Sequence, residues 1–98
     1  MSYRIQFRAE VPDDIEKACR WYEGRQSGLG QVFLSECQSA LKRIADNPEL
    51  YGRVDSDIRS TKLHRFPYVV HYHLTGEHVI VLAVMHGGRD PSNWQSRV

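Results

Sequence analysis

Arg59-Ser-Thr-Lys62-Leu-His64-Arg65 gathers three fixed cations and an imidazole within seven residues, and no acid occurs between Asp57 and Glu77. An arginine guanidinium grips phosphate as a two-pronged fork, and a lysine adds a point charge. A histidine titrating near neutrality can carry the proton in an RNA transesterification, which needs a base at the 2′-hydroxyl, cations around the phosphorane and an acid at the leaving oxygen. The simpler reading of the same run is a solvated edge strand whose charges block pairing with another chain.

His71 and His73 project to the same side of one strand, about 6.5–7 Å apart. With His64 or His86 they could share a zinc ion, but no cysteine or acid at suitable spacing completes the set. They are therefore read as imidazoles on an uncovered sheet face, with no metal or cofactor expected. His86-Gly-Gly-Arg89-Asp90-Pro91-Ser-Asn-Trp94 closes the chain's last strand. Asp90 suits a helix N-cap and Pro91 the first residue of a terminal helical turn. Trp94 in that reading packs back on the core, while the paired glycines leave His86 and Arg89 uncovered. Phe66-Pro67-Tyr68 reads as a turn plus a core tyrosine.

These residues need a scaffold. Tyr3, Ile5 and Phe7 alternate with Arg4, Gln6 and Arg8, the period of a half-buried strand. Pro12 with Asp13 and Asp14 opens a helix over about Pro12 to Gly24, with Ile15, Ala18, Cys19 and Tyr22 on one face. After the glycine-rich break from Gly24 to Gly30, the residues Leu29, Phe33, Cys37, Ala40, Leu41 and Ile44 line a second helix that Asn47-Pro48 stops. The short connection makes the two helices an antiparallel pair. Glu49 to Asp57 reads as an irregular link. Strands follow over Ile58–Arg65 and from Tyr68 to Leu74, then a hairpin turn at Thr75-Gly76-Glu77. Val79 to Met85 is apolar at both parities, so it should be a central strand covered on both faces.

The spacing thus predicts an α+β fold ordered strand, helix, helix, strand, strand, strand, as one domain over residues 1–98. The helix pair covers one face of a mostly antiparallel sheet. Val69, His71 and His73, flanked by Arg59, Lys62 and Arg65, fall on the other face, where chemistry is expected.

Composition narrows the class. The 98 residues are 41% hydrophobic and 26% charged with a net charge of +1, which excludes a disordered tail or a coiled coil. Residues 1–50 carry seven Lys/Arg against eight Asp/Glu, and residues 51–98 carry six against four together with all five histidines. The cationic surface therefore belongs to the second half. Cys19 and Cys37 cannot build a disulfide framework and read as small buried apolar residues. No signal-like segment or membrane-length apolar run is visible, so a cytoplasmic protein is expected.

Five motifs occur in order. Asp14-Ile15-x-x-Ala18-x-x-Trp21-Tyr22-Glu23 comes first, then Gly28-Leu29-Gly30-x-x-Phe33-Leu34, and Ile44-x-x-Asn47-Pro48-x-x-Tyr51. Arg65-Phe66-Pro67-Tyr68-Val69-Val70-x-Tyr72 and Leu82-Ala83-Val84-x-His86-x-x-Arg89-Asp90-Pro91-x-x-Trp94 follow. Together they resemble the RelE/ParE superfamily of toxins from bacterial type II toxin–antitoxin modules, and its ParE-like, plasmid-stabilisation branch most closely. The resemblance implies a helix hairpin on a mostly antiparallel sheet. It also implies a cognate antitoxin whose flexible segment wraps the toxin and whose other half dimerises on operator DNA.

On mechanism the resemblance divides. RelE-like members cleave mRNA in the ribosomal A site, and ParE-like members poison DNA gyrase without known catalysis of their own. The ribonuclease branch carries a catalytic arginine where this chain has Val69, and a second near Gly87, with Arg89 close by. Lys62 matches a lysine of that branch, and Trp94 stands roughly where it has an aromatic residue. The favoured expectation is gyrase inhibition by protein contact, with Arg59, Lys62, Arg65, His71, His73, Arg89, Asp90 and Trp94 as target or antitoxin contacts. The alternative is a metal-free mRNA endoribonuclease using Lys62, Arg65, His86 and Arg89, with His71 or His73 as other candidates for acid or base.

Overall fold

The alternating Arg4-Ile5-Gln6-Phe7 forms strand β1 (Arg4–Phe7) in the computed structural model, which describes residues 3–55, 57–88 and 92–97. Helix α1 (Val11–Arg25) follows with a proline in its first turn beside Asp13 and Asp14, and it buries Val11 and Ala18. Helix α2 (Leu29–Asp46) buries Gly30, Phe33, Cys37, Ala40 and Ile44, the expected stripe.

The α1–α2 connection is tight for two reasons. Gly28 turns the chain at φ +90°, a left-handed conformation that favours glycine. The Glu23 carboxylate accepts the amides of Gly28 at 2.9 and 3.1 Å and of Gly30 at 3.0 Å. It thereby does the work of an absent N-cap side chain, and those bonds hold its carboxyl below the ordinary glutamate range. At Gly30 the helices nearly touch, since a Cβ there would lie 2.7 Å from the Cys19 carbonyl oxygen. Glycine-to-alanine changes inside helices normally stabilise by up to about 1 kcal/mol. Gly30→Ala is expected to do the opposite, costing about 2 kcal/mol by overpacking against backbone that cannot yield; urea unfolding at neutral pH measures the sign.

The rest of the chain is a sheet: β2 (Arg53–Asp55), β3 (Ile58–Lys62), β4 (Tyr68–Thr75) and β5 (His78–His86), with a terminal turn of helix, α3 (Ser92–Gln95). The strand order is β1-β5-β4-β3-β2. β1 runs parallel to β5, and the other pairs are antiparallel. The expected element order holds, with two corrections. The link from Glu49 to Asp57 is not wholly irregular, because it contains a 3-10 turn at Pro48–Leu50 and strand β2. At three residues, with its register shifted against β3, β2 is too short to show a period. The strand expected to reach Arg65 stops at Lys62.

The helix hairpin covers one sheet face, and its core includes Phe33, Ile44, Val70, Tyr72, Val79, Val81 and Val84. Tyr22, Phe33, Phe66 and Tyr68 pack there ring against ring. The Tyr72 hydroxyl donates to the Pro48 carbonyl, and burial pushes its phenol up to about 12. Arg59 stands opposite Tyr72 and donates to the carbonyls of Tyr51 at 2.7 Å and Glu49 at 3.1 Å, fastening the 3-10 turn to the sheet.

Between β4 and β5 the register steps from Tyr72↔Val81 to His71↔Ala83, leaving Leu82 as an extra residue. Leu82 and Ala83 join Ile58, Met85 and Trp94 in a second cluster. β5 is therefore covered on both sides, as its composition demanded, but the second cover is α3.

Candidate functional site

The sheet face away from the helices was the expected place for chemistry, and its accessible part is smaller than expected. Val69, His71 and His73 do share it, opposite Lys62, Ser60 and Ile58 of β3. His71, however, lies under Trp94, the two rings stacked with centroids 4.4 Å apart at 15°. Trp94 is only 6% exposed. It therefore packs back as a cover, one of the two places the sequence allowed it, and is not an open contact residue; His71 is not a surface imidazole. Burial pushes the His71 imidazole down to about 4, and its Nδ1 has no hydrogen-bond partner among the described residues. His73 Nε2 lies 4.0 Å from an Asp57 carboxylate oxygen.

The remaining candidates are dispersed. Arg59 faces the other side of the sheet and is committed to backbone carbonyls, so it is not an available contact cation. Lys62 is exposed at the end of β3. Arg65 lies on the β3–β4 turn, 3.9 Å from Glu36 of α2 and largely solvated, while the His64 amide donates to the same carboxylate at 3.1 Å. His86 stands opposite Tyr68, whose ring packs in the helix-side core. Its Nδ1 accepts the Gly88 amide at 3.0 Å. Lys62 and His86 thus belong to opposite faces of the sheet. Arg89 and Asp90 lie outside the described residues.

The side that His86 faces holds a feature missing from the sequence reading. A groove of about 890 Å³ runs between α1 and the end of β5, lined by Lys17, Trp21, Tyr68, Met85, His86 and Arg97 among others. Trp21 is 54% exposed, edge-on to Tyr22, with the Arg25 guanidinium 4.4 Å from its ring centroid. A signal for it existed: Trp21 sits off the Ile15–Ala18–Cys19–Tyr22 stripe, so an indole had to face outward.

The groove has a backbone floor. β1 runs out at Phe7↔Val81, with one further bond from the Arg8 amide to the Val81 carbonyl at 2.9 Å. Beyond that point no strand among the described residues neighbours β5 on this edge. The Val84 amide there donates to Asp14 Oδ2 at 3.1 Å, and Arg97 Nη1 donates to the Leu82 carbonyl at 3.1 Å. Arg97 and Asp14 join through Nη1–Oδ2 at 2.7 Å and Nη2–Oδ1 at 3.2 Å. By strand alternation the Val84 carbonyl and the His86 amide point to the same edge. The groove therefore offers an exposed indole, the Lys17 cation and a strand edge to an extended peptide.

Sequence and structure comparisons agree on the lineage. A sequence profile described as "ParE toxin of type II toxin-antitoxin system, parDE" matches residues 5–91. Toxin ParE2 of Mycobacterium tuberculosis, from two strains, is 25% identical over 99 residues, covering all of this chain and 94% of its own. Among solved structures, a chain of the chromosomal ParDE system of P. aeruginosa superposes with a TM-score of 0.64 at 13% identity, over 87% of this chain and 96% of its own. A free-state double arginine-to-alanine variant of E. coli toxin RelE superposes with a TM-score of 0.71 at 18% identity, over 100% and 99%. At those identities the superpositions speak for the fold alone, the α+β architecture of RelE/ParE toxins. The profile match spans most of the chain, and this protein belongs to the ParE toxin family of type II toxin–antitoxin systems.

Proposed function

We propose that this toxin acts by protein contact, inhibiting DNA gyrase, and is silenced by a cognate antitoxin that lays an extended segment along the α1–β5 groove. One observation carries the non-catalytic reading: Lys62 and His86 occupy opposite faces of the sheet; the resemblance to the ribonuclease branch adds that this chain has Val69 where that branch has an arginine. A ribonuclease without converging cations lacks transition-state electrostatics, commonly the largest catalytic contribution. Support for the antitoxin site comes from the groove itself. Exposed Trp21 beside Lys17 and His86, over a strand edge, suits an apolar and acidic segment that folds as it binds. Among the described residues no helix is long and apolar enough to cross a membrane.

Two assays run together test this. Purified toxin should inhibit gyrase-driven supercoiling and leave mRNA intact in a reconstituted translation reaction, and the variant with alanine at Lys62, Arg65 and His86 together should leave mRNA equally intact. New mRNA 5′ ends inside ribosome-occupied codons, lost in that triple variant, would overturn the reading. Trp21→Ala removes an exposed side chain, so the fold should tolerate it. As an aromatic anchor of the antitoxin its loss should weaken that complex about 30-fold or more, equivalent to about 2 kcal/mol, measured by calorimetric titration.

A further inference from the structure

Residues 92–97 wrap round the bare edge of β5 and are held at two points. On the face away from the helices Trp94 stacks on His71 and covers Ile58, Leu82, Ala83 and Met85. On the groove side Arg97 is forked onto Asp14 of α1. We propose that this segment is a pH-sensitive latch: it opens when the His71 imidazole takes up a proton, while the helix hairpin and the sheet stay folded.

The geometry makes His71 the weak point. A neutral imidazole can leave its buried Nδ1 as a bare acceptor at small cost, but protonation turns that atom into a buried N–H with nothing among the described residues to receive it. The surroundings give no relief. Ser60 stands opposite on β3, with Ile58 and the cation Lys62 on either side, and Ala83 stands opposite on β5 between Leu82 and Met85. Along β4 the neighbours on this face are Val69 and His73, and the Asp57 carboxylate lies against His73. From the latch comes Trp94, while Arg97 is turned away into Asp14.

The indole face does attract a cation, which opposes opening, but it cannot accept the buried Nδ1–H. Desolvation outweighs it and holds the group down at about 4. The sign follows. In the open segment His71 returns to an ordinary value near 6.5. Opening is then proton-neutral above that pH and takes up a proton below it. Each pH unit between about 6.5 and about 4 raises the open-to-closed ratio up to about tenfold. The latch is shut at neutral pH and opens progressively in mild acid. Opening lifts Trp94 off His71 and uncovers the apolar face of Ile58, Leu82, Ala83 and Met85, whichever macromolecule the toxin targets.

Of the chain's two tryptophans, Trp21 is exposed, so Trp21→Phe leaves Trp94 as the sole indole reporter. In that background acrylamide quenching of Trp94 should rise at least about threefold from about pH 7 to about pH 4.5, with far-UV circular dichroism unchanged. Adding His71→Phe keeps a ring under Trp94 and should abolish the rise. On the unsubstituted chain, the His71 imidazole should titrate by NMR with a midpoint below about 5. Trp94 still shielded in acid, the same rise in the His71→Phe protein, or a His71 midpoint above about 5 would each overturn the proposal.

Discussion

Trp94→Ala is expected to cost about 3 kcal/mol of folding stability, because truncating a buried indole forfeits its transfer energy and leaves a cavity or an uncovered face. For a domain of this length that is a fall in Tm of about 15 °C. The loss should not be confined to one contact. Trp94 lies over Ile58, Leu82, Ala83 and Met85, and β5 was built with apolar residues on both sides on the assumption that something covers each. Without the indole the second side meets water, so the variant should bind hydrophobic dyes and associate on heating. Trp94→Phe keeps an aromatic ring over His71 and should recover more than half of the loss. The result separates two roles for the residue. A target-contact tryptophan would lose inhibition at unchanged Tm, whereas a covering tryptophan loses Tm first and keeps inhibition per folded molecule at low temperature. Thermal melts alongside a supercoiling assay read both quantities.

Trp94 also shows where a one-dimensional reading of this chain succeeds and where it stops. The helices were legible because Ile15, Ala18 and Tyr22, and then Phe33, Cys37, Ala40 and Ile44, repeat at helical spacing beside clear stop signals. The double-sided burial of β5 was legible from Val79-Ile-Val-Leu-Ala-Val-Met85, where no polar parity exists. Trp94 packing back on the core was legible too, since a strand apolar on both faces needs a second cover and Trp94 is the next large apolar residue after it. The register step at Leu82 was not legible. A bulge moves every later residue by one position in the pairing, and nothing in an all-apolar run marks where it falls.

The site was harder to read than the scaffold for a physical reason. Cations close in sequence need not share a surface: Arg59 and Lys62 lie on one short strand but point to opposite faces, because side chains alternate. Arg59 then spends its donors on the carbonyls of the 3-10 turn. The groove escaped notice because its walls come from α1, the β3–β4 turn, the end of β5 and Arg97, which no local pattern links. What a sequence shows well is a stripe and what breaks it. What it shows poorly is which breaks from distant stripes end up side by side.

The contact that closes the groove carries the last large effect. Asp14→Ala should destabilise the protein by about 3 kcal/mol, toward the lower end of the cost of removing one partner of a buried ion pair. The Asp14 carboxylate is 12% exposed and the Arg97 side chain 15%, so neither ion is well solvated and each depends on the other. Asp14 also receives the Val84 amide, which by its place on the sheet edge has no strand to pair with. Among the described residues, alanine would leave a guanidinium holding only the Leu82 carbonyl and a backbone N–H holding nothing. Asp14→Asn retains an oxygen for one of the two donors and loses the charge, so it should fall between alanine and the unsubstituted protein. Arg97→Ala should cost less, about 2 kcal/mol, because the carboxylate keeps the Val84 amide and gains water where the guanidinium stood. A double-mutant cycle should return a coupling of at least about 1 kcal/mol. The most specific reading comes from amide exchange at Val84, which should be protected in the unsubstituted protein despite the absence of a neighbouring strand. In Asp14→Ala it should accelerate by about 100-fold relative to Val70, an amide of the adjacent interior strand β4. If Val84 exchanges equally slowly in both proteins, Asp14 is not what seals this edge, and the groove floor is closed by some other means.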